Sequence, residues 1–111
     1  MSKLEQALIF QLKAVKLTFE IEYRFHETRR WRFDVAFPDD LIAIECEGTT
    51  FYGKNANGSM KLGRHQTAIG FERDCEKYNA AAELGWRVFR YTDKQIKSGI
   101  AWQQIERLVR K

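Results

Sequence analysis

RRWRFDVAFPDDLIAIECEG, running from Arg29 to Gly48, is the stretch from which the rest of the chain can be placed. Two runs rich in β-branched and aromatic residues, one from about Arg30 to Phe37 and one over 41–47, flank the turn sequence Pro38-Asp39-Asp40. Together they read as a hairpin. With Asp39 and Asp40 as a two-residue turn, Pro38 faces Leu41, and counting outward pairs 37 with 42, 36 with 43, 35 with 44 and 34 with 45. Asp34 then lies opposite Glu45, and Glu47 shares their face, while Ile42, Ile44 and Cys46 point into the core. Like charges opposed across a ladder repel, so three carboxylates in one patch demand compensation. Arg32, which faces Glu47 in this register, could neutralise one of them. One reading is therefore a surface hairpin with Arg-carboxylate pairs. The other is a divalent cation held by Asp34 and Glu45 through oxygen ligands of the kind Mg²⁺ prefers.

Working outward, Ser2 and Glu5 form a capping-box pattern ahead of Leu4, Leu8, Leu12 and Val15, which predicts an amphipathic helix over about 3–16. TFEIEYRFH alternates, predicting a strand with Phe19, Ile21, Tyr23 and Phe25 on one face and Glu20, Glu22 and Arg24 on the wet face of an edge. After the hairpin, residues 48–70 hold five of the seven glycines without clear periodicity and read as a long loop. FERDCEKYNAAAEL follows as a helix with Phe71, Cys75, Tyr78 and Ala82 on one face and Gly85 as its stop. WRVFRY is a strand, Thr92 with Gln95 opens another helical segment, and Ala101, Trp102, Ile105, Leu108 and Val109 give the last helix its apolar face. The order is αβββαβα. Three early strands form an antiparallel meander, and the crossover helix makes the third and fourth strands parallel, which predicts a mixed α/β sheet flanked by helices.

At 111 residues the chain reads as one domain, 1–111. No apolar run reaches the roughly 20 residues of a bilayer span and no signal-peptide core stands at the N-terminus, so an intracellular, cytoplasmic protein without a membrane partner is expected. Cys46 and Cys75 stand far apart without metal-ligand spacing and read as reduced core thiols. The net charge of +4 is distributed unevenly. Residues 48–70 carry Lys54, Lys61 and Arg64 and no acid, and residues 86–111 carry seven Lys or Arg against Asp93 and Glu106. Such surfaces suit a polyanion.

An Asp on the second strand, ten intervening residues and Glu-x-Glu on the third, in this element order, resembles the PD-(D/E)XK nuclease superfamily with its restriction-endonuclease-like fold. WRFDVAFPDDLIAIECEG followed by FERDCEKYNAAAELGWRVFRY is more closely similar to small phage and prophage endonuclease domains related to very-short-patch mismatch-repair endonucleases, over about Leu4 to Tyr91. The resemblance implies Mg²⁺- or Mn²⁺-dependent hydrolysis of DNA phosphodiesters, with Asp34 and Glu45 as metal ligands. The literal Pro38-Asp39 dipeptide belongs to the turn. The departure is Glu47, where the family usually has Lys. Either Glu47 is a further ligand or base, or a cation arrives from the next helix, where Lys77 and Arg73 are the candidates.

His65 is a candidate proton donor or base. Lys54, Lys61, Arg64 and Arg73 are candidate phosphate contacts. Glu5 reads first as a cap, although first-helix glutamates assist the metal site in part of the superfamily. Asp74 reads as a helix anchor, and Trp31, Trp86 and Trp102 read as core. The expected activity is a structure-selective endonuclease acting on branched, nicked or mismatched DNA, in the host cytoplasm if phage-encoded, with a homodimer as one route to adequate recognition surface. The alternatives are a non-catalytic nucleic-acid-binding module and a partner-dependent nuclease subunit.

Overall fold

The computed structural model describes residues 1–48 and 68–110 in full, together with the backbone of Phe51–Lys54 and Met60–Leu62. Helix α1 (Lys3–Ala14) leads into strands β1 (Glu20–Arg24), β2 (Arg32–Phe37) and β3 (Ile42–Cys46). Strands β4 (Phe51–Lys54) and β5 (Met60–Leu62) pair with each other, and helix α2 (Ala68–Glu83), strand β6 (Arg87–Tyr91) and helices α3 (Asp93–Lys97) and α4 (Ile100–Val109) follow. Four strands form one sheet in the order β1-β2-β3-β6, antiparallel except for the β3–β6 pair. This is the expected mixed α/β architecture. The expected loop over 48–70 is corrected by the β4–β5 ribbon, whose antiparallel register is irregular between Phe51 and Lys54. No helix among the described residues is long and apolar enough to cross a membrane.

The hairpin register is the one that counting predicts, with Val35 opposite Ile44, Ala36 opposite Ala43 and Phe37 opposite Ile42. Its turn is different. Pro38–Asp40 form a 3-10 turn, and Leu41, instead of extending the strand, adopts a left-handed conformation (φ 53°) with its N–H donating to the Pro38 carbonyl. Ser2 and Thr92 cap their helices as expected, and Gly85 and Gly99 take the positive φ that ends α2 and separates α3 from α4.

Two apolar layers enclose the sheet. On one face Leu8, Leu12, Val35, Ile42, Ile44, Ile96, Ala101 and Ile105 are fully buried among α1, α3 and α4. On the other, Phe33, Ala36, Ala43 and Trp86 pack against Ala81 of α2. There Phe25 stacks on Phe33 at 4.1 Å between ring centroids. Phe33 and Val35 therefore point to opposite layers, although residues two apart on a regular strand share a face. The alternation slips at Asp34. On β1 the same slip occurs at Glu22, whose φ is 48°. Phe19 consequently joins the first layer and Tyr23 and Phe25 the second, while Ile21 is exposed, so the single apolar face expected for β1 is not found. The expected face of α2 is corrected as well: Phe71, Cys75 and Ala82 are exposed, and α2 meets the sheet through Ala81.

Candidate metal and phosphodiester site

The slipped rung is the centre of the site. Its physical effect is to turn two acids away from the wet faces of their strands. One carboxylate oxygen each from Glu5 on α1, Glu22 on β1 and Asp34 on β2 lie within 4.8 Å of one another. A non-glycine residue in the left-handed region costs on the order of 1–3 kcal/mol, and such strain collects where structure serves function. The expectation of Glu22 on a wet edge is thereby corrected. Glu5 keeps its role in the cap through its backbone, since its N–H donates to Ser2 Oγ at 3.1 Å. Its side chain, however, points into the acid group, where Oε2 is buried with no hydrogen-bond partner among the described residues.

Asp34 Oδ2 accepts from the backbone N–H of Cys46 at 2.7 Å, which ties β2 to the end of β3. Glu45 is buried and lines the same cleft as Asp34, so the predicted register does bring these two acids together. Lys77 Nζ of α2 donates to Glu45 Oε1 at 2.5 Å. Glu47 turns elsewhere: its Oε1 accepts from Arg90 Nε at 2.8 Å and from the Tyr78 hydroxyl at 3.4 Å. The cation facing Glu47 is thus Arg90 of β6, not Arg32. Asp74 lines the same cleft, and Arg73, one residue before it, is exposed and does not. The cleft is about 430 Å³ and open to solvent.

Charge crowding and burial act in one direction here. Burial raises Glu5 above the ordinary carboxylate value, and the neighbouring Asp34 and Glu22 raise it further. Asp34 is raised by burial against the opposing pull of the Cys46 N–H and of its bond with Glu45. Glu45 is pushed up to about 8 by burial, although the Lys77 ammonium pulls it down. Burial and the surrounding carboxylates also push the Cys46 thiol well up. A set of carboxylates held close, partly desolvated and with an orphaned oxygen among them has the donor chemistry that hard divalent cations require. The residues present therefore fit an oxygen-bound divalent ion.

Arg64 and His65, and the side chains of Lys54 and Lys61, lie outside the described residues. Glu22, Arg90 and Tyr78 are the residues that sequence reasoning missed. Arg90 is opposite Glu45 in the parallel β3–β6 ladder, a register that no turn length reveals. Glu22 sits on the rung opposite Asp34 by the β1–β2 count, but only a known register for that longer connection would have exposed it.

The sequence matches no family model and no curated protein sequence. In three dimensions the chain is similar to the catalytic domain of the homing endonuclease I-Bth0305I, with a TM-score of 0.64 over 97% of this chain and 94% of that one, at 17% identity. That likeness to a nuclease domain fits the restriction-endonuclease-like fold expected from the order of elements.

Proposed function

We propose that the protein is a divalent-metal-dependent endonuclease that hydrolyses DNA phosphodiester bonds. The observation that carries this reading is the convergence of Glu5, Glu22 and Asp34 from three separate elements, with a buried unpartnered oxygen, in a fold shared with a nuclease domain. Asp34 and Glu45, assisted by Glu5 and Glu22, would hold Mg²⁺ or Mn²⁺. When bound, such an ion supplies polarisation of a phosphoryl oxygen and a lowered pKa for water.

The chain's own groups do the remaining work. Glu45 would hold the ion as its carboxylate, since coordination requires the deprotonated form. Lys77 holds Glu45 in place and keeps a positive charge at the cleft floor, the task the family's missing motif lysine would perform. Glu47, held in place by Arg90, is the base that accepts the proton of the attacking water. As the water oxygen bonds to phosphorus, the bond from phosphorus to the leaving sugar oxygen breaks and that oxygen takes up a proton. His65 is the proposed donor, and Lys54, Lys61, Arg64 and Arg73 are proposed to neutralise flanking phosphates. Branched, nicked or mismatched DNA inside the cell is the proposed substrate, because a fold unit of 111 residues offers by itself little surface for reading sequence.

The test is cleavage of labelled duplex, single-stranded, nicked and four-way-junction DNA with Mg²⁺, Mn²⁺ or EDTA, for wild type and Asp34→Asn. Cutting that needs the metal and disappears in the variant is expected, and the ranking of substrates chooses among the DNA structures. Folded protein that binds DNA but cuts none of these substrates would replace the enzyme with a binding module.

A further inference from the structure

The β1–β2 hairpin carries a second charged feature, separate from the acids. Arg24 on the edge strand and Arg32 on its neighbour occupy one rung of the ladder, and Arg30 lies two residues before Arg32. The three line a surface concavity of about 320 Å³ and all are exposed. Like charges opposed on a rung destabilise a sheet, yet among the described residues none of these guanidinium groups forms a salt bridge. Arg29 of the same hairpin differs, since it pairs with Glu76 and lies over the Trp31 ring at 4.0 Å. Arg30 and Arg32 also border the acid cleft beside Asp34, so the cationic patch is continuous with its rim.

An acid cleft repels a polyanion, and a substrate phosphate reaches it only where nearby cations outweigh that repulsion. Guanidinium forks match phosphate oxygens in pairs. We propose that Arg24, Arg30 and Arg32 grip the phosphodiester backbone of duplex DNA and lead it into the acid cleft. This rests on the nuclease reading and names where its substrate enters.

The experiment is anisotropy titration of a labelled duplex in EDTA across a range of salt, comparing wild type with R24Q/R30Q/R32Q and with K13Q/K94Q/K97Q, which removes equal charge from exposed helix positions. Three phosphate contacts contribute a slope of about −2.7 in log affinity against log salt. The wild-type advantage over the arginine variant should therefore shrink about 40-fold between about 50 and 200 mM salt, while the lysine variant keeps most of the wild-type affinity. Arg30→Gln alone, which leaves the Arg24–Arg32 rung intact, should lower the slope by about 0.9 and guards against misfolding of the triple variant. Equal losses in the arginine and lysine variants, unchanged affinity in the arginine variant, or no DNA binding by wild type would each overturn the grip. Calorimetric Mn²⁺ binding by wild-type protein dialysed free of EDTA does not involve the arginines, so its absence refutes the nuclease reading separately.

Discussion

Replacing Lys77 with Met removes the cation that faces Glu45 while keeping a side chain of similar length. Glu45 is 6% exposed and its folded value is about 8 even with the ammonium in contact. A carboxyl whose folded pKa is raised binds a proton in the folded state that the unfolded chain has released. Its contribution to stability therefore falls as pH rises from the unfolded value of about 4.5 to the folded one, at about 1.4 kcal/mol per pH unit, and then levels off. Without Lys77 the folded value moves higher, so the fall continues past pH 8. At about pH 6.5 wild type and variant carry the same protonated Glu45, and the loss is that of one hydrogen bond, about 1 kcal/mol. Near pH 9.5 the curves should have separated by roughly a further 2 kcal/mol, reaching the range of about 3–5 kcal/mol typical of a broken buried pair. For a domain of this size a total of about 3 kcal/mol is a drop in Tm of about 12 °C or more. Urea unfolding in EDTA at several pH values measures it. A difference between the two proteins that stays constant from about pH 6.5 to 9.5 would refute the argument, because it would mean that Lys77 contributes packing and not charge compensation.

In EDTA at about pH 8, Asp34→Asn and Glu22→Gln should each raise stability by about 0.5–2 kcal/mol, because each removes one of three crowded like charges, while weakening Mn²⁺ binding in calorimetry. Variants less stable than wild type and still binding the ion would contradict the metal site. Iodoacetamide should modify the exposed Cys75 first and Cys46 slowly, since burial and the surrounding carboxylates suppress the Cys46 thiolate; mass spectrometry showing equal rates would count against the described burial. Gly99→Ala should cost about 1–3 kcal/mol, because φ is 88° and a Cβ would sit 3.0 Å from Trp102 Nε1; an unchanged Tm would show that the α3–α4 junction adjusts freely.

The β2–β3 register was legible because a turn sequence and a two-residue period jointly determine it, and it survived a turn of different conformation. Asp34 beside Glu45 followed from that count. Glu22 was illegible for the opposite reason. Phe19, Ile21, Tyr23 and Phe25 present an unbroken alternation, and nothing local predicts a left-handed glutamate in the middle of it. The slip is imposed by packing, which sends Phe19 and Tyr23 to opposite layers. The capping-box reading of Glu5 was correct for its backbone N–H at Ser2 and did not account for the acid group its side chain joins, which depends on where α1 docks. Periodicity placed Phe71 and Cys75 of α2 in a core, but the helix packs its apolar side on the sheet through Ala81 and reaches the strands otherwise through Lys77 and Tyr78, which leaves Phe71 and Cys75 exposed.

The acid group draws its members from the first turn of α1, from an edge strand and from the strand beside it. An ion bound there would act as a latch, joining the start of the chain to a sheet that is otherwise held by its own ladder. Without it, repulsion among the three carboxylates favours fraying of that first turn. Addition of Mn²⁺ should then slow the amide exchange of the first turn of α1 more than that of α4, which is anchored in the first apolar layer through Ala101 and Ile105. Catalytic readiness and order at the N-terminus would be one equilibrium, read by two different instruments.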